Sequence, residues 1–469
     1  MSQARVVVTG LGAVSPLGLG VPETWAGLCA GRCGIRRIRA FDPTGLPCEW
    51  AGEVPEYRIQ ERVPRTYRKA VKLMCRDIEL AVLAAGEAIT SGGLVTKGID
   101  PEKVNIDPTR FGINIGAGII CCDLVELGPA VAASTLDGRF DLHKWGREGL
   151  QLVTPLWLLK YLPNMPACHI GIIHDMQGPS NTITCSEAAA HLALGEAAQV
   201  IARGDADLAL AGGAEAKVNQ MMILRQHLLR RAVSTGTGDP ETICRPFDAN
   251  ACGAIFGEGA AMLVLENLDH ARRRNARILA EIAGIGQSHS MSAAYERLEP
   301  DGQGIRIAVE KALADAEIGP EDLDLVIPHG TAIPQDDLAE ARGLAAALGP
   351  AVKKIPVWPT KSMLSTTGAA GGALDVVAAV QAITEGVIPP ARNFQTPAPG
   401  CPLNVLTARR DGPIRHVLCC SYTHGGQTAA IVLRKFEIRN PKSETNPNDP
   451  NSNDQNAAGG RGPVSNLRI

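Results

Sequence analysis

A chain of 469 residues with 45% hydrophobic and 20% charged side chains can bury a large core and has room for about two or three domains. A net charge of −3 excludes nucleic acid and anionic membrane surfaces as partners attracted by bulk charge, and no apolar run reaches the roughly 18 residues of a spanning helix. Thirteen cysteines, an odd number without paired CxxC sets, exclude a zinc site by pattern; with no signal peptide, they predict reduced thiols in a cytoplasmic protein.

In chain order, residues 5–10 (RVVVTG) read as a buried first strand. The following GLGAVSPLG reads as a tight structural turn, because the acidic partner of a dinucleotide loop is missing. Residues 22–30 look helical, with Trp25 and Leu28 on one face. Residues 62–76 carry Arg62, Arg65, Arg68, Lys69, Lys72 and Arg76, several of which share a face at helical spacing. That pattern fits either a solvated charged face or a docking surface for an acidic partner. The helix is expected to continue through Ala81, Ala84, Ala85 and Ala88, small residues suited to close packing. Residues 111–118 read as a second buried strand, and 120–160 hold two helical patterns and a long connection.

Residues 178–216 organise the rest. After the turn signal Gly178-Pro179, a short β-like run leads into an Ala-rich helical run over 188–201, a second turn and a buried strand from 206. A residue near 185–187 would sit at a helix N-terminus, where backbone N–H groups favour a thiolate, a carboxylate or an oxyanion. Enzymes place nucleophiles on such elbows; a plain βαβ crossover has the same spacing. A strand over 260–266 closes a first half. The second begins near 267, where LAEIAGIG (279–286) repeats the strand and glycine turn, followed by a helix over 302–317, a strand over 323–327 and His329-Gly330-Thr331. From 438 the chain is rich in Asn, Pro, Asp, Ser and Gly, and is expected to be disordered because it has too little apolar surface to offset ordering entropy.

The motifs resemble, in order, those of the β-ketoacyl-acyl-carrier-protein synthases. They are the opening RVVVTG with its Ser15-Pro16, PNMPACHIGI (163–172), Gly178-Pro179, Gly195-Glu196-Ala197, GDAD (204–207), AGGAE (211–215), RPFDANACGAIFGEG (245–259), His329-Gly330-Thr331, Lys361-Ser362-Met363 and the glycine loop after Tyr422. The resemblance covers about residues 4–437. It implies an α/β thiolase-like fold of duplicated halves (1–266 and 267–437), each with a mixed five-stranded sheet, layered α-β-α-β-α, with 438–469 a tail.

It also implies site residues. An ungapped match places Glu187 where the family carries its nucleophilic cysteine, and a carboxylate is a poor substitute for a thiolate in attacking a thioester. His329 falls on the first of two histidines that stabilise the enolate. Thr366 falls on the second, Asp375 on a glutamate of the polar network, and Lys361 is kept. Tyr422 falls on an aromatic gate whose amide belongs to the oxyanion hole. Cys185 is an alternative nucleophile, displaced by one pleat repeat, or about 7 Å, if it lies in a strand. His424 is read as a core histidine rather than a replacement donor. Arg65, Arg68, Lys69 and Lys72 take the place of a patch that docks acyl carrier protein. The family needs no cofactor or metal here. The implied role is a subunit similar to a chain-length factor, either a homodimer or a heterodimer with a cysteine-bearing ketosynthase. The alternative is a decarboxylating enzyme with an altered site.

Overall fold

The computed structural model describes residues 4–233, 238–290 and 298–437; the expected disordered tail lies outside them. The first strand, β1 (Val6–Val14), is buried along its whole length. It does not stop at Gly10, as the glycine-rich sequence suggested, but runs through Gly10 and Gly12. The reason is the helix α1 (Arg76–Ser91) lying on it. A Cβ at Gly10 would fall 2.3 Å from the carbonyl oxygen of Ala88, and one at Gly12 would fall 2.0 Å from that of Ala84. These glycines admit a helix backbone rather than turn the chain.

The basic run before α1 also differs from expectation. It forms a 3₁₀ stretch, Arg65–Leu73, that ends in extended backbone at Met74 and Cys75 before α1 begins. The break lets Arg76 turn inward, where it meets Glu258 at 2.6 Å and lies over the Tyr57 ring. Arg76 is thereby removed from the exposed basic set.

The remaining strands of the main sheet are β2 (Phe111–Ala117), β3 (Ser180–Thr184), β4 (Leu208–Ala216), β5 (Glu258–Asn267), β6 (Ala280–His289), β7 (Leu325–Ile327), β8 (Pro356–Val357), β9 (Asn404–Val405), β10 (His416–Tyr422) and β11 (Gln427–Arg434). Their order is β9-β8-β7-β10-β11-β6-β1-β5-β4-β2-β3. In the first half β2 pairs parallel with β3 and β4, then β4 with β5 and β5 with β1 antiparallel. The second half repeats this pattern: β7 pairs parallel with β8 and β10, then β10 with β11 and β11 with β6 antiparallel. The second half adds a sixth strand to the five expected, since the short β9 pairs parallel with β8, and rather than staying separate the two sets join through antiparallel β1 and β6, so neither of those strands is left as an open edge.

The repetition extends to detail. Both β1 and β6 carry a register shift, after Val8 and after Ile282. At Gly284 and Gly286 an added Cβ would fall 2.2 Å and 1.8 Å from the carbonyl oxygens of Ala312 and Ala308 in α3 (Gln303–Asp315). The second GxG thus has the same task as the first.

Strand alternation sorts the cores. On β5, Met262 and Val264 face the core under α1, while Leu263 and Leu265 face a central core. Two helices supply that central layer, α2 (Ala189–Ala202) and α5 (Gly371–Glu385); both are mostly buried and pack with strands of both halves. The outer layer of the second half is α3 with α4 (Pro334–Leu348). The layering is therefore α-β-α-β-α. Among the described residues no helix is long and apolar enough to cross a membrane.

Gly286→Ala forces a methyl into the α3 backbone and is expected to destabilise by at least the roughly 1–3 kcal/mol of an overpacked core. Chemical denaturation checks this; an unchanged midpoint would contradict the close approach.

Candidate functional site

Strand β3 ends at Thr184, and the chain turns sharply before α2. Ser186 sits at φ 47°, in the left-handed region that a side chain rarely adopts. A 3₁₀ turn, Ser186–Ala188, then carries Glu187 inward. Glu187 is 3% exposed, its backbone carbonyl accepts from Ser421 Oγ at 2.6 Å, and it stands at the entry to a buried helix.

Its partner is Lys217, a residue that sequence reasoning missed. Lys217 Nζ lies 3.2 Å from Glu187 Oε1 and 3.4 Å from Glu215 Oε1, and is 1% exposed. Burial alone would raise the Glu187 carboxyl; the positive charges of Lys217 and Arg231 outweigh it and hold the group well below the usual carboxylate range. Glu215 is pushed the other way, by burial and by the charge of Glu187, with Lys217 opposing. The only sequence signal for Lys217 was a lysine at the end of a buried strand whose one charged residue is Glu215.

His329 follows β7. Its loop is pinned by acids of α4: Glu340 accepts from the backbone N–H groups of His329 at 2.7 Å and Gly330 at 2.8 Å, and Asp337 accepts from that of Thr331 at 2.8 Å. Burial pushes Asp337 up to about 7 and Glu340 up to about 8. The His329 ring is buried, with both nitrogens unpartnered, and stands edge-on to Tyr422 with centroids 4.6 Å apart. Burial, and then the nearby Lys361 charge, keep its pKa well below the ordinary histidine value, so the imidazole is neutral.

Lys361 is bound to Asp375, which also accepts from Thr360 Oγ1 at 2.6 Å. Thr366 is buried; its backbone bridges to Phe256, and its hydroxyl has no partner. Tyr422 closes on His329 as a buried ring with an unpartnered hydroxyl.

Cys185 is not in a strand. It follows β3, half-buried, in the wall of a cavity of about 530 Å³ that also includes Lys217, Arg225 and His424. Glu187 is not part of that wall. Burial raises the Cys185 thiol above its ordinary value. His424, expected in the core, faces this cavity instead, because the turn after β10 lifts it out of the sheet. Arg65, Arg68, Lys69 and Lys72 are exposed and belong to a separate surface. No group of three or more His, Cys, Asp or Glu side chains among the described residues is placed to hold a metal ion.

Two family models cover most of the chain: β-ketoacyl synthase, N-terminal domain, over residues 3–271, and β-ketoacyl synthase, C-terminal domain, over residues 279–395. The chain belongs to the β-ketoacyl synthase family. It is 31% identical over 441 residues to the 3-oxoacyl-acyl-carrier-protein synthase 2 of Vibrio cholerae, covering 93% of this chain and 100% of the relative. It is 33% identical over 438 residues to the Coxiella burnetii enzyme of the same name, covering 93% and 99%. Among solved structures it is similar to the ishigamide ketosynthase/chain length factor (TM-score 0.79, 29% identity, 93% and 100% covered). It is also similar to a type II polyketide synthase acyl-carrier protein in complex with its ketosynthase (TM-score 0.79, 27% identity, 93% and 100% covered). The β-ketoacyl synthase fold thus supplies the frame in which Glu187, Lys217 and His329 meet.

Lys217→Met leaves Glu187 charged and unpaired in the interior, and is expected to cost about 3–5 kcal/mol. Adding Glu187→Gln should recover much of that loss, a coupling that a double-mutant cycle measures. Because the folded-state carboxyl titrates below its unfolded value, the contribution of Glu187 is present at neutral pH. It is lost as pH falls through and below the ordinary glutamate range. The stability deficit of Glu187→Gln should therefore shrink in acid; a constant deficit would refute the ion pair.

Proposed function

We propose that this β-ketoacyl synthase is a subunit of the chain-length-factor kind. It lacks a condensing nucleophile of its own, pairs with a cysteine-bearing ketosynthase and meets acyl carrier protein. The observation that carries this reading is the state of Glu187, a buried carboxylate paired with Lys217 and held in its charged form. Acyl transfer from a thioester needs a thiolate or an equally reactive nucleophile. Carboxylate attack would give a reactive anhydride, and a carboxylate already neutralised by an ammonium attacks more weakly still. Cys185 does not make up the loss, since burial lowers its thiolate fraction below that of a free cysteine.

Subunit pairing is supported by the surface. Except for Ile99 and Val104, the exposed large apolar side chains among the described residues fall in 119–172 and 221–229, including Val125, Leu142 and Leu228. Apolar side chains concentrated in this way mark interaction sites. Carrier-protein docking is supported by Arg65, Arg68, Lys69 and Lys72, which are exposed and form no ion pair with other described residues. The relatives with solved structures, a ketosynthase/chain length factor and a ketosynthase bound to its carrier protein, point the same way.

One observation favours a second reading, a malonyl-carrier decarboxylase. The neutral His329 ring has unpartnered nitrogens that suit donation of an N–H to a thioester carbonyl, where enolate charge develops. Thr366 adds a neutral hydroxyl.

Purified protein incubated with radiolabelled acyl- and malonyl-carrier thioesters is expected to take no covalent label and release no carbon dioxide. Co-expressed with an intact ketosynthase, it is expected to form a stable complex. Carbon dioxide release abolished by His329→Ala would replace the first reading with the second, and label lost in Cys185→Ala would overturn it. Charge reversal at Arg68 and Lys69 should weaken carrier-protein binding most at low salt, as for charges that steer encounter.

A further inference from the structure

Asp77 is a buried carboxyl that the site described above does not use. It is the second residue of α1, is 5% exposed, and its Oδ1 accepts from the backbone N–H of Ala216 at 2.9 Å. Ala216 ends β4 between Glu215 and Lys217, so this one bond ties the start of α1 to the strand end that carries both. The Oδ2 atom has a single hydrogen-bond partner among the described residues, the Cys75 thiol at 3.9 Å.

No cation is free to balance this carboxyl. Arg76, beside it in sequence, donates to Glu258 through two nitrogens, and Lys217 is shared by Glu187 and Glu215. The charged groups acting on Asp77 are acids, Glu215 of β4 and Glu258 of β5, and the Cys121 thiol after β2 lies close enough to feel its charge. On α1 itself, Glu79 accepts from Tyr57. Strand β1, on which α1 lies, has no ionisable side chain. The helix Met165–His174, also packed on α1, has Cys168, His169 and His174 bonded to Asn164, Tyr67 and Thr96. Burial pushes the Asp77 carboxyl up to about 7; the Ala216 N–H opposes this, and the charges of Glu215 and Glu258 add to it.

We infer that Asp77 is a proton-dependent latch between α1 and β4: it holds Ala216 while it carries its proton, and its ionisation loosens the junction by setting an uncompensated charge against Glu215. Two segments meet there. The basic run Arg65–Leu73 enters α1 through Met74 and Cys75, and Lys217 follows Ala216 directly. An open latch therefore loosens the basic run and the cation of Glu187 together. The inference goes beyond the partner-subunit reading and needs neither a partner nor a substrate.

The test is amide hydrogen exchange on the full-length protein between about pH 6 and about pH 8.5, corrected for the intrinsic rise of exchange with pH. Protection of residues 65–77 and 215–218 is expected to fall about tenfold over that range. In Asp77→Asn, which keeps an acceptor for the Ala216 N–H and cannot ionise, it should stay level. Stability supplies a second measurement. Because the folded-state carboxyl titrates above its unfolded value of about 3.9, it costs stability as pH rises from about 4 to about 7. The folding constant of Asp77→Asn relative to that of the natural protein should therefore rise about 10- to 100-fold between about pH 5 and about pH 8.5. Level protection of both segments in the natural protein overturns the inference, whether or not the variant folds. A loss of protection that persists in Asp77→Asn, or a stability ratio independent of pH, also overturns it. The partner-subunit reading is judged separately, by label, carbon dioxide release and complex formation.

Discussion

A carboxylate cannot be left alone in a dry interior, and the site is arranged around that constraint. Glu187 is carried inward by the strained turn at Ser186, so a cation must be present, and Lys217 supplies it from the end of β4. Lys217 in turn touches Glu215, whose other oxygen accepts from the backbone N–H of Ala369 at 2.6 Å, at the entry to α5. One buried charge thus ties together the two central helices and a strand of the first half. Arg231, which also acts on Glu187, is held by Asp336 at 2.8 Å on α4. The network therefore reaches from the first half into the outer layer of the second.

That arrangement changes what the β-ketoacyl synthase frame can do. The frame still presents a buried histidine on an acid-pinned loop and a lysine fixed by Asp375. What it presents at the elbow is the Glu187 carboxylate, paired with Lys217. Burial holds the His329 pKa well below the ordinary histidine value, so the ring carries an unpartnered N–H and no charge of its own. The thiol nearest the elbow, Cys185, opens instead to a cavity walled in part by Glu215, Lys217, Arg225 and His424.

The duplicated frame has one physical cause, repeated. In each half a helix must lie against a buried strand more closely than side chains permit, and a GxG pair inside the strand provides the room: Gly10 with Gly12, and Gly284 with Gly286. The same glycines misled the reading of a turn, because a glycine in sequence signals either freedom of φ or absence of a Cβ, and only the neighbour decides which is needed. The break at Met74 and Cys75 was hidden for a similar reason. The helical spacing of the basic residues continues across it, while the inward pull on Arg76 comes from Glu258, 182 residues away.

By itself the sequence determined the strand–elbow–helix–strand unit, from turn signals and propensities that local residues carry, and, through the resemblance of short ordered motifs, the family and the α/β layering that it implies. It also located Glu187, because position within an ungapped motif is local information. Tertiary structure alone decided what surrounds Glu187. Lys217 is 30 residues away, and the backbone N–H that Glu215 holds is 154 residues away, so neither contact leaves a periodic trace. The cavity wall is likewise assembled from segments distant in sequence, with Arg225 and His424 brought to one space from different halves. Charge compensation is a property of groups in space, and the chain order does not encode it in any local pattern.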